Sequence, residues 1–272
     1  MILVNGKQSN TLPTTDRGLH YGDGVWETIL IKHGRLILLS EHLDRLQLGL
    51  HRLAISVNFN QLCDEIERIR QLADNHILKV IITRGSGGRG YNPAGVDSET
   101  RILSLHPVPE FSKNYHDEGI KLTLCNTRLA HNPQFAGFKH LNRLEQVMAR
   151  AEFAEPYQEG LVMDYLNHVI EGTMSNLFLI KGEIISTPAL DNCGIRGVMQ
   201  AHVVKQLTDD GYTVENNANI TVQNVQEADA AFMTNSVIGV WFVQSFTAES
   251  STIRYAPHKI ISKLQEQIKE VS

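Results

Sequence analysis

Phe138-Lys139-His140-Leu141-Asn142-Arg143-Leu144-Glu145 sets one lysine behind the loop Asn132-Pro133-Gln134-Phe135-Ala136-Gly137. Leu141, Leu144, Val147, Met148 and Ala151 recur at helical spacing, which predicts an amphipathic helix opening just after Lys139. A lysine hemmed in by Gly, Phe and Leu is not an ordinary solvated charge. Partial burial disfavours its ammonium form and leaves an amine able to attack a carbonyl. A helix-start lysine whose stem lies along apolar surface fits the same residues. On this segment alone the plainer reading is the stronger one.

Outward from that lysine, strands and helices are mixed without a regular βαβ rhythm. Upstream, Leu19-His20-Tyr21-Gly22-Asp23-Gly24 is a turn-rich entry to a strand over Val25–Ile31, and a turn at Lys32-His33-Gly34 leads into Leu36-Ile37-Leu38-Leu39. Ser40 is placed to cap a helix whose Leu43, Leu46, Leu50 and Leu53 form one stripe, with Arg45 off it. A second helix over Gln61–Asp74 follows, then strands over Ile77–Arg84 and Ile102–Leu105. Downstream come hairpins over Leu161–Glu171 and Asn176–Thr187, a helix over Val198–Leu207, a strand ending at Met233 and a last helix over Pro257–Lys269. That order predicts an α+β fold with largely antiparallel sheets. Pro107, Pro109 and the polar run Ser112–Glu118 interrupt it, dividing the chain into an N-terminal α/β domain over 1–108, a linker over 109–118 and a C-terminal domain over 119–272.

Bulk properties narrow the function classes. The 272 residues, 42% hydrophobic and 20% charged, are ordinary for a soluble globular protein. A net charge of -5 without a basic block argues against nucleic acid or an anionic membrane as partner. No apolar run is long enough to span a bilayer, and Met1–Asn5 reads as a first strand. Cys63, Cys125 and Cys193, odd in number and far apart, suggest reduced thiols in a cytoplasmic protein.

Gly85-Ser86-Gly87-Gly88-Arg89-Gly90 matches a dinucleotide fingerprint, but Tyr91-Asn92-Pro93 cannot start the helix that would hold a pyrophosphate. A loop presenting Arg84 and Arg89 to a small anion fits better, with a solvated turn as the plain alternative. The twelve histidines carry no zinc signature, and no nucleophile elbow is present, so no metal is expected. Three further segments matter. Glu171-Gly172-Thr173-Met174-Ser175-Asn176 puts a carboxylate at a strand end, as a hairpin charge or facing a basic ring nitrogen. Cys193-Gly194-Ile195-Arg196-Gly197-Val198-Met199 opens a helix with backbone N–H groups suited to an anion. Met233-Thr234-Asn235-Ser236 offers hydroxyl and amide groups for phosphate oxygens or a turn. A lysine for an imine, a carboxylate for a pyridine nitrogen, and N–H groups with an arginine for a phosphate together describe a pyridoxal phosphate site.

The same segments, in this order, resemble the fold type IV pyridoxal phosphate enzymes, the group of branched-chain aminotransferases, D-amino acid aminotransferases and aminodeoxychorismate lyases. The resemblance spans essentially the whole chain. It rests on Asp16-Arg17 with Tyr21-Gly22-Asp23-Gly24-Val25-Trp26-Glu27-Thr28, on the lysine segment and on Glu171–Phe178; Arg84–Tyr91 and Gly137–Gln146 look most like the lyase branch. It implies a smaller N-terminal and a larger C-terminal domain with the cofactor between them, and a homodimer. By the same resemblance Lys139 would bind pyridoxal 5'-phosphate covalently, and Glu171 would pair with the pyridine nitrogen. Arg45, Val198, Met199, Asn235 and Ser236 would hold the phosphate. Gln200 stands where the family usually has an arginine.

The lyase branch implies pyruvate release from 4-amino-4-deoxychorismate, with Lys139 as base. Arg84 and Arg89 are candidates for the substrate carboxylates, and Tyr21, Trp26 and His20 for the pocket wall. Two rivals remain at this level. One is a class IV aminotransferase acting on D-amino or branched-chain amino acids; the other is an inert anion-binding protein on the same scaffold.

Overall fold

The computed structural model describes residues 1–96, 98–111 and 114–271. Ser112 and Lys113 of the expected linker lie outside them. The chain forms two compact units: Met1–Pro109 with Phe138–Asn142, and Glu110–Gly137 with Arg143–Ser272.

The first unit contains β1 (Ile2–Val4), β2 (Lys7–Gln8), α1 (Arg17–Tyr21), β3 (Gly24–Lys32), β4 (Arg35–Leu36), α2 (Leu39–Leu53), α3 (Phe59–Arg70), β5 (His76–Thr83) and β6 (Thr100–Pro107). Its described strands form one antiparallel sheet in the order β2-β1-β6-β5-β3-β4. The β-branched run in β3 pairs with β5 from Gly24↔Thr83 to Ile31↔His76. The leucine stripe of α2 folds as its spacing predicts: Leu46 and Leu50 are buried with Ile29, Ile31 and Leu78, and Leu43 and Leu53 pack at the edge. Ser40 is not the cap. Ile37 is drawn into the core and the chain turns through a left-handed Leu38 (φ 52°), so α2 starts at Leu39 with Ser40 exposed inside its first turn.

The second unit contains α4 (Asn114–Asp117), β7 (Ile120–Leu129), α5 (Leu144–Arg150), β8 (Glu159–Asp164), β9 (Val169–Gly172), β10 (Asn176–Lys181), β11 (Ile184–Pro188), α6 (Val198–Asp209), β12 (Thr213–Ala218), α7 (Val222–Glu227), β13 (Ala230–Asn235), β14 (Gly239–Ala248), β15 (Ser251–Arg254) and α8 (Lys259–Val271). The strands run β12-β11-β10-β13-β14-β7-β8-β9, with β15 added on β14. Most pairs are antiparallel; β11 with β12, β14 with β7 and β7 with β8 are parallel. Both expected hairpins form, β8 with β9 and β10 with β11. Phe178 and Phe232 oppose each other across β10 and β13 and stack at 4.7 Å in the core.

The helix expected directly after Lys139 does not start there. Residues 139–143 are not helical, and α5 begins only at Leu144. Backbone pairing with β3 takes the place of a first helical turn: Trp26 N–H donates to Lys139 O (2.9 Å) and Leu141 N–H to Gly24 O (3.0 Å).

Candidate active site

Lys139 owes its position to β3. Val25 and His140 form an isolated β-bridge, and Trp26 Nε1 donates to His140 O at 3.2 Å. Asn142 Nδ2 donates to Gly22 O at 3.1 Å. Close approach demands small residues here. A Cβ on Gly24 would lie 2.4 Å from Ile82 O and 2.9 Å from Leu141 Cδ1, and one on Gly22 2.5 Å from Asn142 Oδ1. Phe138 anchors the segment by filling the first unit's core, against Gly49. Lys139 Nζ then sits 4.0 Å over the Trp26 ring, a ring that Lys79 Nζ also approaches, at 5.0 Å.

Arg45 is held on α2 by Glu27 of β3. Its Nε and Nη2 donate to the two carboxylate oxygens at 2.7 and 2.5 Å, and His42 Nδ1 lies 2.7 Å from Glu27 Oε2. Burial alone would raise the Glu27 carboxyl. The charge and hydrogen bonds of Arg45, with those of His42, outweigh it and bring the carboxyl down to about 2. Glu27 lies inside the Tyr21–Thr28 motif, but neither it nor His42 was given a role from the sequence.

Arg84 is engaged as well. Nε and Nη2 reach Asp23 at 2.7 and 3.0 Å, and the guanidinium also donates to the carbonyls of Leu53 and Ala54. Arg17 shares Asp23 and donates to Gly90 O and Tyr91 O, setting the glycine loop. Tyr21 packs on Arg17 and Tyr91, while Arg89 is exposed at the turn closed by Asn92. The structure thus joins Trp26 to Lys139, and Tyr21 to the glycine loop.

In the second unit Glu171 lies one residue before the end of β9, with 4% exposure. Oε2 accepts from Ile195 N–H at 2.8 Å and Oε1 from Gln146 Nε2 at 3.2 Å. Arg143 lies within electrostatic reach; burial pulls its guanidinium below the usual value, and Glu171 and Glu145 act against that pull. Glu159, unremarkable in the sequence, is buried and fixes the bend after Glu171. It accepts from the N–H groups of Gly160, Thr173 and Met174 and from the hydroxyls of Thr173 and Ser175.

The loop into α6 is equally confined. Asn176 Nδ2 donates to Ile195 O at 2.9 Å, and a Cβ on Gly197 would fall 2.0 Å from Asn176 Oδ1. With no side chain at Gly197, the first-turn N–H groups of Val198 and Met199 lie at an uncrowded helix start. The Asn235 side chain is committed to local structure: Oδ1 accepts from Val237 and Ile238 N–H, and Nδ2 donates to Met174 O. Thr234 Oγ1 is fully buried and has no hydrogen-bond partner among the described residues.

His131, Asp164 and Cys193 also converge, with ligand atoms within 4.8 Å of one another. His131 and Asp164 are hydrogen-bonded at 2.8 Å, and burial followed by the charges of Asp164, Glu171 and Glu145 pushes the Cys193 thiol up to about 12.

A buried hydroxyl without a hydrogen-bond partner among the described residues, a glycine-lined helix start and a buried carboxylate that accepts from Ile195 N–H and Gln146 fit an anionic group with a protonated ring nitrogen. Residues 24–246 match the family model of amino-transferase class IV. The chain belongs to that family. It is 35% identical to the aminodeoxychorismate lyase of Vibrio harveyi, over 97% of this chain and 98% of the relative. It is 37% identical to the crystal structure of 4-amino-4-deoxychorismate lyase from Pseudomonas aeruginosa, with a TM-score of 0.94 and 99% and 98% of the two chains covered. The Escherichia coli branched-chain amino acid aminotransferase shares the fold at 21% identity, with a TM-score of 0.85 over 99% and 93% of the chains. Class IV membership accounts for the α+β class and for why the segments around Gly22–Thr28, Lys139 and Glu171 stand out together. It assigns no role to Glu27, Gln146 or Glu159, whose main partners lie outside their own segments.

Proposed function

We propose that this chain is a pyridoxal phosphate-dependent carbon–oxygen lyase that converts 4-amino-4-deoxychorismate to 4-aminobenzoate and pyruvate. The observation that carries this reading is the end-to-end likeness to two lyases, at 35% and 37% identity. Bound there, pyridoxal phosphate would supply an electron sink for the carbon bearing the substrate nitrogen. Lys139 Nζ takes the proton from that carbon. Loss of the enolpyruvyl oxygen with its bonding pair from the neighbouring carbon then makes the ring aromatic, and the departing enolate gains a proton on its methylene carbon to become pyruvate. The Glu171 carboxylate, oriented by Ile195 N–H and Gln146, keeps a proton on the ring nitrogen. Val198 and Met199 N–H groups, Ser236 and Arg45 hold the phosphate. Asn235 shapes the turn that presents Ser236. Arg84, tied to Asp23, positions the glycine loop's base, which leaves Arg89, Tyr21 and Trp26 for the substrate. The functional division is an N-terminal domain over 1–108 and a C-terminal domain over 119–272, supported by the two compact units, with Phe138–Asn142 going to the first.

The test combines two readouts. Borohydride reduction with pyridoxal phosphate should add the reduced cofactor's mass to Lys139, and aminodeoxychorismate should yield fluorescent 4-aminobenzoate with pyruvate. Lys139→Ala should lose both while keeping the wild-type circular dichroism. The class name itself favours amino transfer as second reading; an amino acid with a keto acid giving exchange, and no 4-aminobenzoate, would select it. A colourless protein that gains no mass would point to an inert scaffold. No helix among the described residues is long and apolar enough to cross a membrane. Cys63, Cys125 and Cys193 are free thiols, which supports a reducing, cytoplasmic location. The enzyme acts as a homodimer, a reading supported by the outward apolar face of α5.

A further inference from the structure

The buried underside of α6 carries a hydrogen-bond chain made of neutral groups. Thr187 Oγ1 donates to Leu177 O at 2.8 Å, so it can only accept from Gln200 Nε2, which lies 2.9 Å away. That fixes the amide's orientation, and Gln200 Oε1 accepts from Gly197 N–H at 3.2 Å. Thr187 and Gln200 are both buried. The chain therefore runs from the strand carbonyl of β10, through β11, to the first N–H before α6. It uses the Gly197 donor internally and leaves those of Val198 and Met199 to face outward. From the other side Asn176 grips Ile195 O. Asn176 is directly opposed to Thr234 across β10 and β13, so the two side chains share a face of the sheet. The Thr234 hydroxyl, without a hydrogen-bond partner among the described residues, thus lies on the face from which the Ile195–Gly197 loop is held.

We infer that Gln200 and Thr187 are positioning residues for the cofactor's phosphate, forming an uncharged clamp that sets the angle of the Val198 and Met199 N–H groups. This rests on the cofactor reading above. The clamp acts on the phosphate alone, since the hydrogen bonds of Thr187 and Gln200 reach neither Lys139 nor Glu171. Pyridoxal, which lacks the phosphate, serves as the control ligand.

Holoenzyme variants Thr187→Val, Thr187→Ser, Gln200→Leu and Gln200→Glu would be compared for pyridoxal phosphate affinity, for displacement by inorganic phosphate and for borohydride fixation of pyridoxal on Lys139. One buried neutral hydrogen bond of ~1 kcal/mol corresponds to a roughly fivefold change. Thr187→Val and Gln200→Leu should therefore bind pyridoxal phosphate about five- to tenfold more weakly. Inorganic phosphate should weaken in parallel, and pyridoxal fixation should stay at the wild-type level. Thr187→Ser, which keeps the hydroxyl, should restore affinity, and Gln200→Glu should be the weakest because it sets a carboxylate beneath the phosphate. Unchanged affinity in Thr187→Val and Gln200→Leu, or equal weakening of pyridoxal and pyridoxal phosphate, would overturn the clamp. Absence of any labelling of wild-type Lys139 overturns the cofactor reading and the clamp together.

Discussion

Glu27 shows how one residue ties the candidate site to stability. It sits on β3 next to Trp26, whose ring carries Lys139 Nζ, and it holds Arg45 and His42 on α2. Its carboxyl falls from the ordinary 4.5 to about 2, because Arg45 and His42 overcome the opposing effect of burial. A carboxyl lowered on folding contributes stability that is fully present above its unfolded value and is lost as the pH falls through the folded one. Lowering a pKa by one corresponds to ~1.4 kcal/mol, so on the order of 3 kcal/mol should disappear between pH 4.5 and 2. Glu27→Gln cannot titrate there. It should be less stable than wild type near neutral pH, and the gap should close as the pH drops through that window. Denaturant unfolding of both proteins across that pH range decides it; a gap independent of pH would place the acid-labile stability in another carboxylate.

At the scale of elements, the join between β3 and residues 139–141 matters most, and it is where sequence reasoning and structure part company. Apolar periodicity in Leu141, Leu144, Val147 and Met148 pointed to a helix from Lys139 onward. Periodicity reports only local preference, and the backbone of 139–141 is claimed by a strand more than a hundred residues earlier. The α2 stripe, both second-unit hairpins and the α6 start were legible because their signals are local: leucine spacing, turns at Asn167 and Gly182, and a glycine before an apolar run. For the site, motifs singled out Lys139 and Glu171 as candidates. Glu159 and Gln146 were not singled out, since a buried carboxylate acceptor or an amide donor reads like any other polar residue until its partner is known. Gly24→Ala tests the join. The added Cβ would collide with Ile82 O, a backbone atom that cannot give way without disturbing the β3–β5 ladder. The 139–141 segment should be released, and borohydride fixation of pyridoxal phosphate on Lys139 should fall at least tenfold while far-ultraviolet dichroism changes little. Undiminished fixation would show that the lysine does not depend on β3 for its position.

At the scale of the whole molecule, an exposed apolar face calls for a partner. Leu144, Val147 and Met148 are 71%, 62% and 56% exposed on the seven-residue helix α5, although their i, i+3, i+4 spacing is that of a buried stripe. Burying such a side chain contributes about 1.5–3 kcal/mol, so three of them per copy form a substantial nucleus for self-association. With a net charge of only -5, long-range repulsion between copies is modest. A two-fold pair presents this face twice, to itself or to another patch of the second copy. The intact protein should therefore sediment at twice its 30.5 kDa chain mass. Leu144→Glu with Val147→Glu should sediment at the single-chain mass, because unpaired carboxylates in that contact cost more than the remaining apolar area returns. If residues of the second copy help to enclose the substrate, lyase activity will fall in step with the dimer fraction as the variant is diluted. Wild-type protein sedimenting at the mass of one chain would remove the homodimer and leave the α5 face to be explained by a different partner.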